Sequence, residues 1–283
     1  MAIAREHGKL LFRKLERDLL RLSAGQEAEN VHSFRTTTRR LQTLLELIPA
    51  RGRNQKKLLK MLERIRRRAG RVRDLDVQLA ALRSLKIPLE PRRKTQLMQR
   101  LLELRAKHER KLRKLLKERD LLDLRKRLKR AAEEVDFKTL HDPLTLAQRI
   151  LESATPSNGP VNDESLHRWR LAVKRARYVA EFAPKSVEKT QFIAQLKRLQ
   201  DTLGHWHDWL TLTDTAVAQF GEINHSSLVA ALHNVTRGKF RQAVDAVSGW
   251  HAGREITRSA ASEPARKAGA KTPALAARNA TAA

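Results

Sequence analysis

The chain has no cysteine among its 283 residues. Disulfides and cysteine-ligated zinc are therefore excluded, and a reducing compartment is permitted without being demanded. Aromatic residues make up only 4%, and most fall at core spacing. That argues against the stacking platforms that hold single-stranded nucleic acid. No apolar run approaches the roughly 20 residues of a membrane span. The N-terminal stretch MAIAREHGKLLFRKLERD mixes Arg and Glu into its apolar positions, so it reads as a mature amphipathic helix rather than a secretory signal. A cytosolic protein is expected. There is also no phosphate-cradling Gly-rich loop, no nucleophile–base pair and no convincing strand. Negative charge is scarce: 31 Asp and Glu stand against 59 Lys and Arg, a formal net charge of +28. Such self-repulsion costs stability, and a polyanionic partner would account for it. Nucleic acid, an anionic membrane and a free polyanion are the three classes that qualify.

What is present is organised around a segment that occurs twice. VHSFRTTTRRLQTLLELIP begins at Val31, and LHRWRLAVKRARYVAEFAP begins at Leu166. His32, Arg35, Arg39, Arg40, Glu46 and Pro49 fall opposite His167, Arg170, Lys174, Arg175, Glu181 and Pro184 without a gap. Self-similarity of this kind marks duplication of a structural unit. On a helix of roughly 100° per residue, His32, Arg35 and Arg39 share a face with Arg40 beside it. Phe34, Leu41, Leu44, Leu45 and Ile48 lie opposite. In the second copy His167, Arg170 and Lys174 share a face, and Tyr178 lies along the same stripe. A solvated basic face is the plain alternative. Solubility alone, however, would keep the apolar positions and scatter the charges, so the repeated pattern points to a functional cationic face.

In chain order, residues 3–22 read as a helix with Ile3, Leu10, Leu11, Leu15, Leu19 and Leu22 at helical spacing. Asn30 is the expected N-cap of the first motif helix, which Pro49 and Gly52 end. A long basic helix from about Gln55 to Leu85 follows, with Gly70 as its point of interruption and Pro88 and Pro91 closing it. Arg92 to about Glu134 is helical with a break at Asp120. Asp142 and Pro143 start a short helix as cap and first residue. Residues 155–165 form the loop between the halves, and Asp163 caps the second motif helix. Residues 187–220 mirror 54–86, and LKRLQDTLGHWHDWL from Leu196 aligns with LERIRRRAGRVRDLD from Leu62. Gly204 then pairs with Gly70 and Asp208 with Asp74. A last helix runs from about Ser226 to Trp250.

Beyond 251 the chain turns Ala-, Lys- and Arg-rich, and 252–283 reads as a disordered basic tail. That tail is either a second polyanion contact or an inert solubilising segment. The expected organisation is one all-α domain over 1–251, with halves of about 1–154 and 155–251. Two helical bundles related by a pseudo-two-fold bring both motif helices to one shared channel or groove. Lys57, Arg64, Arg73, Lys197 and Arg198 are second-rank contacts, since the adjacent helices can present them to the same groove.

The pieces HSFRTTTRRLQ, GRVRDLD, HRWRLAVKRARY and LQDTLGHWHD resemble the CHAD family, the α-helical domain named for its conserved histidines, over about residues 5 to 250. The resemblance implies two four-helix bundles around a basic central channel. It also implies binding of inorganic polyphosphate there and recruitment to polyphosphate granules in the cytoplasm. Carried over by position, the anion contacts are His32, Arg35, Arg39 and Arg40 with His167, Arg170, Lys174 and Arg175. The family often has Arg where this chain has Gln42, and the aligned Arg177 keeps that charge. Elementary chemistry agrees: a phosphate chain has no sequence to read, and asks only for repeated charge-assisted hydrogen bonds. Histidines in such a face donate when protonated, so binding is expected to strengthen as pH falls toward 6.

Nucleic acid suits the charge and the basic tail, and weak non-specific DNA binding is expected, although no helix-turn-helix signal is assignable. A metal-dependent phosphohydrolase would draw on His205, His207 and Asp208, but two residues apart on a helix the histidines point about 160° from each other. No cofactor, metal or catalytic residue is expected. Asp74 and Asp208 read as carboxylates that pair with neighbouring Arg or Lys. A granule or membrane-surface scaffold would use the N-terminal helix, which reads more simply as core. Phe34, Trp169, Phe182, Phe192 and Trp209 read as core, while Trp206 faces either the core or the ligand.

Overall fold

Leucines three and four residues apart dominate the chain, and helices follow from them. The structure, a computed structural model, describes residues 2–48, 53–86, 91–136, 142–154, 161–221 and 226–262. Within them no strand forms, and the helices are α1 (Ala2–Ala24), α2 (Ala28–Leu47), α3 (Arg53–Ser84), α4 (Pro91–Arg113), α5 (Glu118–Glu134), α6 (Pro143–Ala154), α7 (Asp163–Ala180), α8 (Val187–Phe220) and α9 (Ser227–Ser262). None of these helices is long and apolar enough to cross a membrane.

The chain divides into two compact units, Met1–Val244 and Asp245–Ala283. The first holds α1 to α8 and the start of α9. The described part of the second is the rest of α9, which continues through Ser262. Residues 252–262, expected to be disordered, are thus helical; Ala and Arg are strong helix formers. The remainder of the expected tail lies outside the described residues, as do Pro49, Gly52 and Pro88.

The first unit is built on two apolar clusters. One joins Leu15, Leu19 and Leu22 of α1 and Phe34, Leu41 and Leu44 of α2 to Leu58, Leu62 and Ile65 of α3 and Leu124 and Leu128 of α5. The other joins Leu75, Leu79 and Leu82 of α3 and Leu97 and Leu101 of α4 to Leu212 and Ala216 of α8 and Leu228 and Leu232 of α9. Each such side chain contributes about 1.5–3 kcal/mol when fully buried. α3 runs unbroken through both clusters for 32 residues, so Gly70 does not interrupt it. It is the strut to which the other elements attach. α6 packs on α7, while α2 packs on α7 and α3 on α8. Helices aligned by the repeat therefore meet each other.

Local details shift several expected boundaries. Leu10 is 58% exposed, outside the buried stripe of α1. α2 starts before Asn30, at an uncapped Glu27; Asn30 instead donates to the Gly25 carbonyl and to Glu27. Pro91 begins α4, as suits a residue without a backbone N–H. The break after α4 falls at residues 114–117, before Asp120. Asp142 accepts from the Thr145 N–H at the head of α6, as its position before Pro143 predicts. On α7 the cap is Asn162, one residue before Asp163. Its side chain accepts from the Ser165 N–H while Ser165 Oγ accepts from the Asn162 N–H.

Candidate functional site

The first motif helix is held in place by a buried acid that sequence patterning did not single out. Asp18 of α1 is only 2% exposed. It accepts from Thr37 Oγ1 at 2.6 Å, Ser33 Oγ at 3.0 Å and Lys14 Nζ at 3.1 Å. With Phe34, Leu41 and Leu44 buried on the same body, α2 turns His32, Arg35 and Arg39 the other way. α7 does the same from its own packing, burying Leu166, Trp169, Val173 and Ala176. His167, Arg170 and Lys174 then face the first motif across a cavity of about 580 Å³.

α3 contributes Arg73 and Asp74 to its walls, and α8 contributes Gln200, Gly204, His205, His207 and Asp208. Tyr178 also lines it, under the Arg177 guanidinium at 5.3 Å and the Arg40 guanidinium at 5.9 Å. Arg35 donates to Asp74 Oδ1 at 3.2 Å and to the Gly70 carbonyl at 3.3 Å. The His167 and His207 rings lie 5.4 Å apart. A Cβ on Gly204 would meet nothing within 4 Å, so the wall is open there.

Cations crowd this space and weaken one another. Burial, with Arg170 and Arg39 next, lowers the Lys174 ammonium to about 7, against a smaller opposing pull from Asp208. Burial and then Arg170 lower His207 to about 4. Burial and then Arg73 lower His32. Arg39 and Arg170 are lowered too, burial again leading. Asp208 is raised, because burial outweighs Arg170 and Lys174. Arg170 Nε and His207 Nδ1 are buried without a hydrogen-bond partner among the described residues. An anion placed here would gain donors that have nothing else to bind, and would restore charge to groups that burial suppresses.

The structure brings together His32, Arg35, Arg39, Arg73, His167, Arg170, Lys174 and Tyr178. It places the other proposed contacts elsewhere. Arg40 is spent on Glu181, with Nη2 to Oε1 at 3.0 Å and Nε to Oε2 at 2.7 Å. Arg175 lies 3.7 Å from Glu46. These are reciprocal pairs, each joining the Arg of one copy to the Glu of the other, so both tie α2 to α7. Lys57 lies on α3 near Asp123 of α5, and Arg64 lines a separate depression on α3. Lys197 and Arg198 are exposed on α8 away from the cavity wall.

His205 and His207 both line the cavity despite their helical separation. No set of His, Asp and Glu suited to a metal ion forms among the described residues. Trp206 is 1% exposed and packs edge-on to Phe240 at 6.3 Å, so it belongs to the core. Phe34, Trp169 and Phe182 are buried as expected, whereas Phe192 and Trp209 are only half-buried.

Residues 7–217 match the family model described as the CHAD domain. Among solved structures, the crystal structure of the CHAD domain from the plant Ricinus communis superposes with a TM-score of 0.60 at 20% identity, covering 83% of each chain. PptA from Streptomyces chartreusis superposes with a TM-score of 0.64 at 15% identity, covering 90% of this chain and 98% of its own. At those identities the likeness concerns the fold. No curated protein matches the sequence.

Proposed function

Since the chain belongs to the CHAD domain family, we propose that it binds inorganic polyphosphate in the cavity between α2, α3, α7 and α8, without catalysis. The observation that carries this reading is the composition of that cavity. Both copies of the motif turn a His, an Arg and a further cation into one space, where the cations suppress one another and buried donors are unclaimed. Arg35, Arg39, Arg73, Arg170 and Lys174 are the anion contacts, with His32 and His167 as further donors and Tyr178 as part of the wall. A pseudo-two-fold relation between the halves belongs to the same reading, and the reciprocal Arg40–Glu181 and Arg175–Glu46 pairs support it. Retention on polyphosphate granules in the cytoplasm follows as the cellular consequence.

A competition experiment tests the ligand class. Long-chain polyphosphate and duplex DNA are titrated at equal phosphate concentration through a salt series. Polyphosphate is expected to win and to survive moderate salt, because a single chain enters a cavity of about 580 Å³ whereas a duplex stays outside and binds by counterion release alone. Equal affinities that vanish together with salt would replace the cavity with a general polyanion surface.

A further inference from the structure

α3 carries more cations than the cavity uses. At roughly 100° per residue, Gly70, Arg73, Asp74 and Val77 share the cavity side of this helix. Lys60, Arg64, Arg67, Arg68 and Arg71 fall on a stripe roughly 120° around it, and line a depression of about 330 Å³ with Glu63. Glu63 pairs with Arg67 one turn on. Lys60, Arg64, Arg68 and Arg71 have no acidic partner among the described residues.

α4 adds to this face. His108 is held low by burial and then by Arg71, Lys111, Arg68 and Lys107, so its imidazole sits among those cations. Its Nδ1 is buried without a hydrogen-bond partner among the described residues. Arg66 lies on the cavity side of α3, one turn before Gly70, and Glu63 and Arg67 lie between that side and the rest of the stripe. Besides burial, the charges acting on it are Arg39 and Arg35 on the cavity side and Glu63 and Arg67 on the other. Its Nε is likewise buried and unclaimed.

We propose that this outer face of α3, with His108 of α4, is a second phosphate-chain site, and that one long polyphosphate molecule leaves the cavity, passes Glu63 and Arg67 and continues along it. The proposal rests on the polyphosphate reading above. From Lys60 to Arg71 the stripe extends about 16 Å at the helical rise, room for several successive phosphate groups. No aromatic side chain lines it, so nothing there offers a base a surface to stack on. Glu63 sits at the seam, and its pairing with Arg67 withdraws one cation until a phosphate competes for it.

The test compares tripolyphosphate with long-chain polyphosphate on the full chain, as wild type and as the combined variant Arg64→Gln, Arg68→Gln and Arg71→Gln. These side chains are exposed or half-exposed on the helix surface, and an unchanged melting temperature checks the fold. Tripolyphosphate affinity is expected to stay the same. Long-chain affinity is expected to fall about tenfold or more, as several charge-assisted hydrogen bonds are lost together. An unchanged long-chain affinity, or an equal loss for both ligands, overturns the second site. If wild type binds long chains but not tripolyphosphate, and the variant still weakens long-chain binding, the cavity reading and the continuous path fail and the outer site stands alone. If wild type binds neither ligand, both fall.

Discussion

At the residue scale, Lys174 is the group expected to set how anion binding depends on pH. Burial pushes its ammonium down to about 7 in the folded protein, from an ordinary value of 10.5. The unfolded chain therefore holds the extra proton between those values, and linkage makes the free protein more stable as pH rises from about 7 to about 10. Below about 7 both states are protonated and the penalty is fully present. His32 and His207 act in the same direction at lower pH, since folding lowers both. A bound anion reverses the effect on Lys174. Affinity for tripolyphosphate is expected to rise as pH falls from 8 to 6, by at most about tenfold per pH unit for one proton taken up. Lys174→Arg should flatten that profile while keeping the affinity; a profile that stays as steep would move the titrating group to another residue. His32 was legible in the sequence as a member of a cationic face, whereas His207 was weighed only for a metal; the suppression of both was not legible, because burial beside Arg73 and Arg170 is a tertiary fact.

Arg40 and Arg175 show a second limit on reading residues from the sequence. Both sit beside the cationic stripe, and both recur in the repeat together with Glu46 and Glu181. The repeated Glu was the available signal, because a repeated Arg and a repeated Glu can pair across an axis as easily as an Arg can meet a ligand. Arg40→Ala is expected to cost about 1–3 kcal/mol of stability, since Glu181 would be left largely buried. Arg175→Ala should cost less than about 0.5 kcal/mol, because that pair is exposed and wider. Chemical denaturation separates the two, and equal losses would mean the pairs are equally buried in solution.

At the scale of elements, the cavity exists because α2 and α7 are each fixed from behind. Hydrophobic spacing predicted which side of α2 is buried, and alignment with the first half gave the span of α8. It did not reveal Asp18, whose role depends on α1 crossing α2 where Ser33 and Thr37 point back. Asp18→Ala would leave those hydroxyls and Lys14 without their acceptor. A loss of about 2–4 kcal/mol is expected from thermal or chemical denaturation, with α2 the element that loosens first in hydrogen exchange. A loss below about 0.5 kcal/mol, the range of ordinary surface substitutions, would show that the network does not hold α2. Gly70 illustrates the opposite case. In the sequence it looked like a break, yet within a 32-residue helix buried on two apolar clusters the packing of its neighbours outweighs the roughly 1 kcal/mol of lost propensity.

At the scale of the whole molecule, a net charge of +28 opposes folding and favours any polyanion. Salt alone should therefore raise the melting temperature of the free protein. Polyphosphate should raise it further at low salt, by the equivalent of about 2.7 kcal/mol at one hundred times its dissociation constant. The most direct measurement is a calorimetric titration of tripolyphosphate into wild type and into the Arg39→Gln, Lys174→Gln double variant. The short ligand reports on the cavity and not on the rest of the basic surface. Wild type should bind with a defined stoichiometry, and the variant should lose about thirtyfold or more in affinity, the weight of two charge-assisted contacts. A variant that binds as tightly as wild type, with its melting temperature unchanged, would place the anion outside the cavity and contradict the reading built on it.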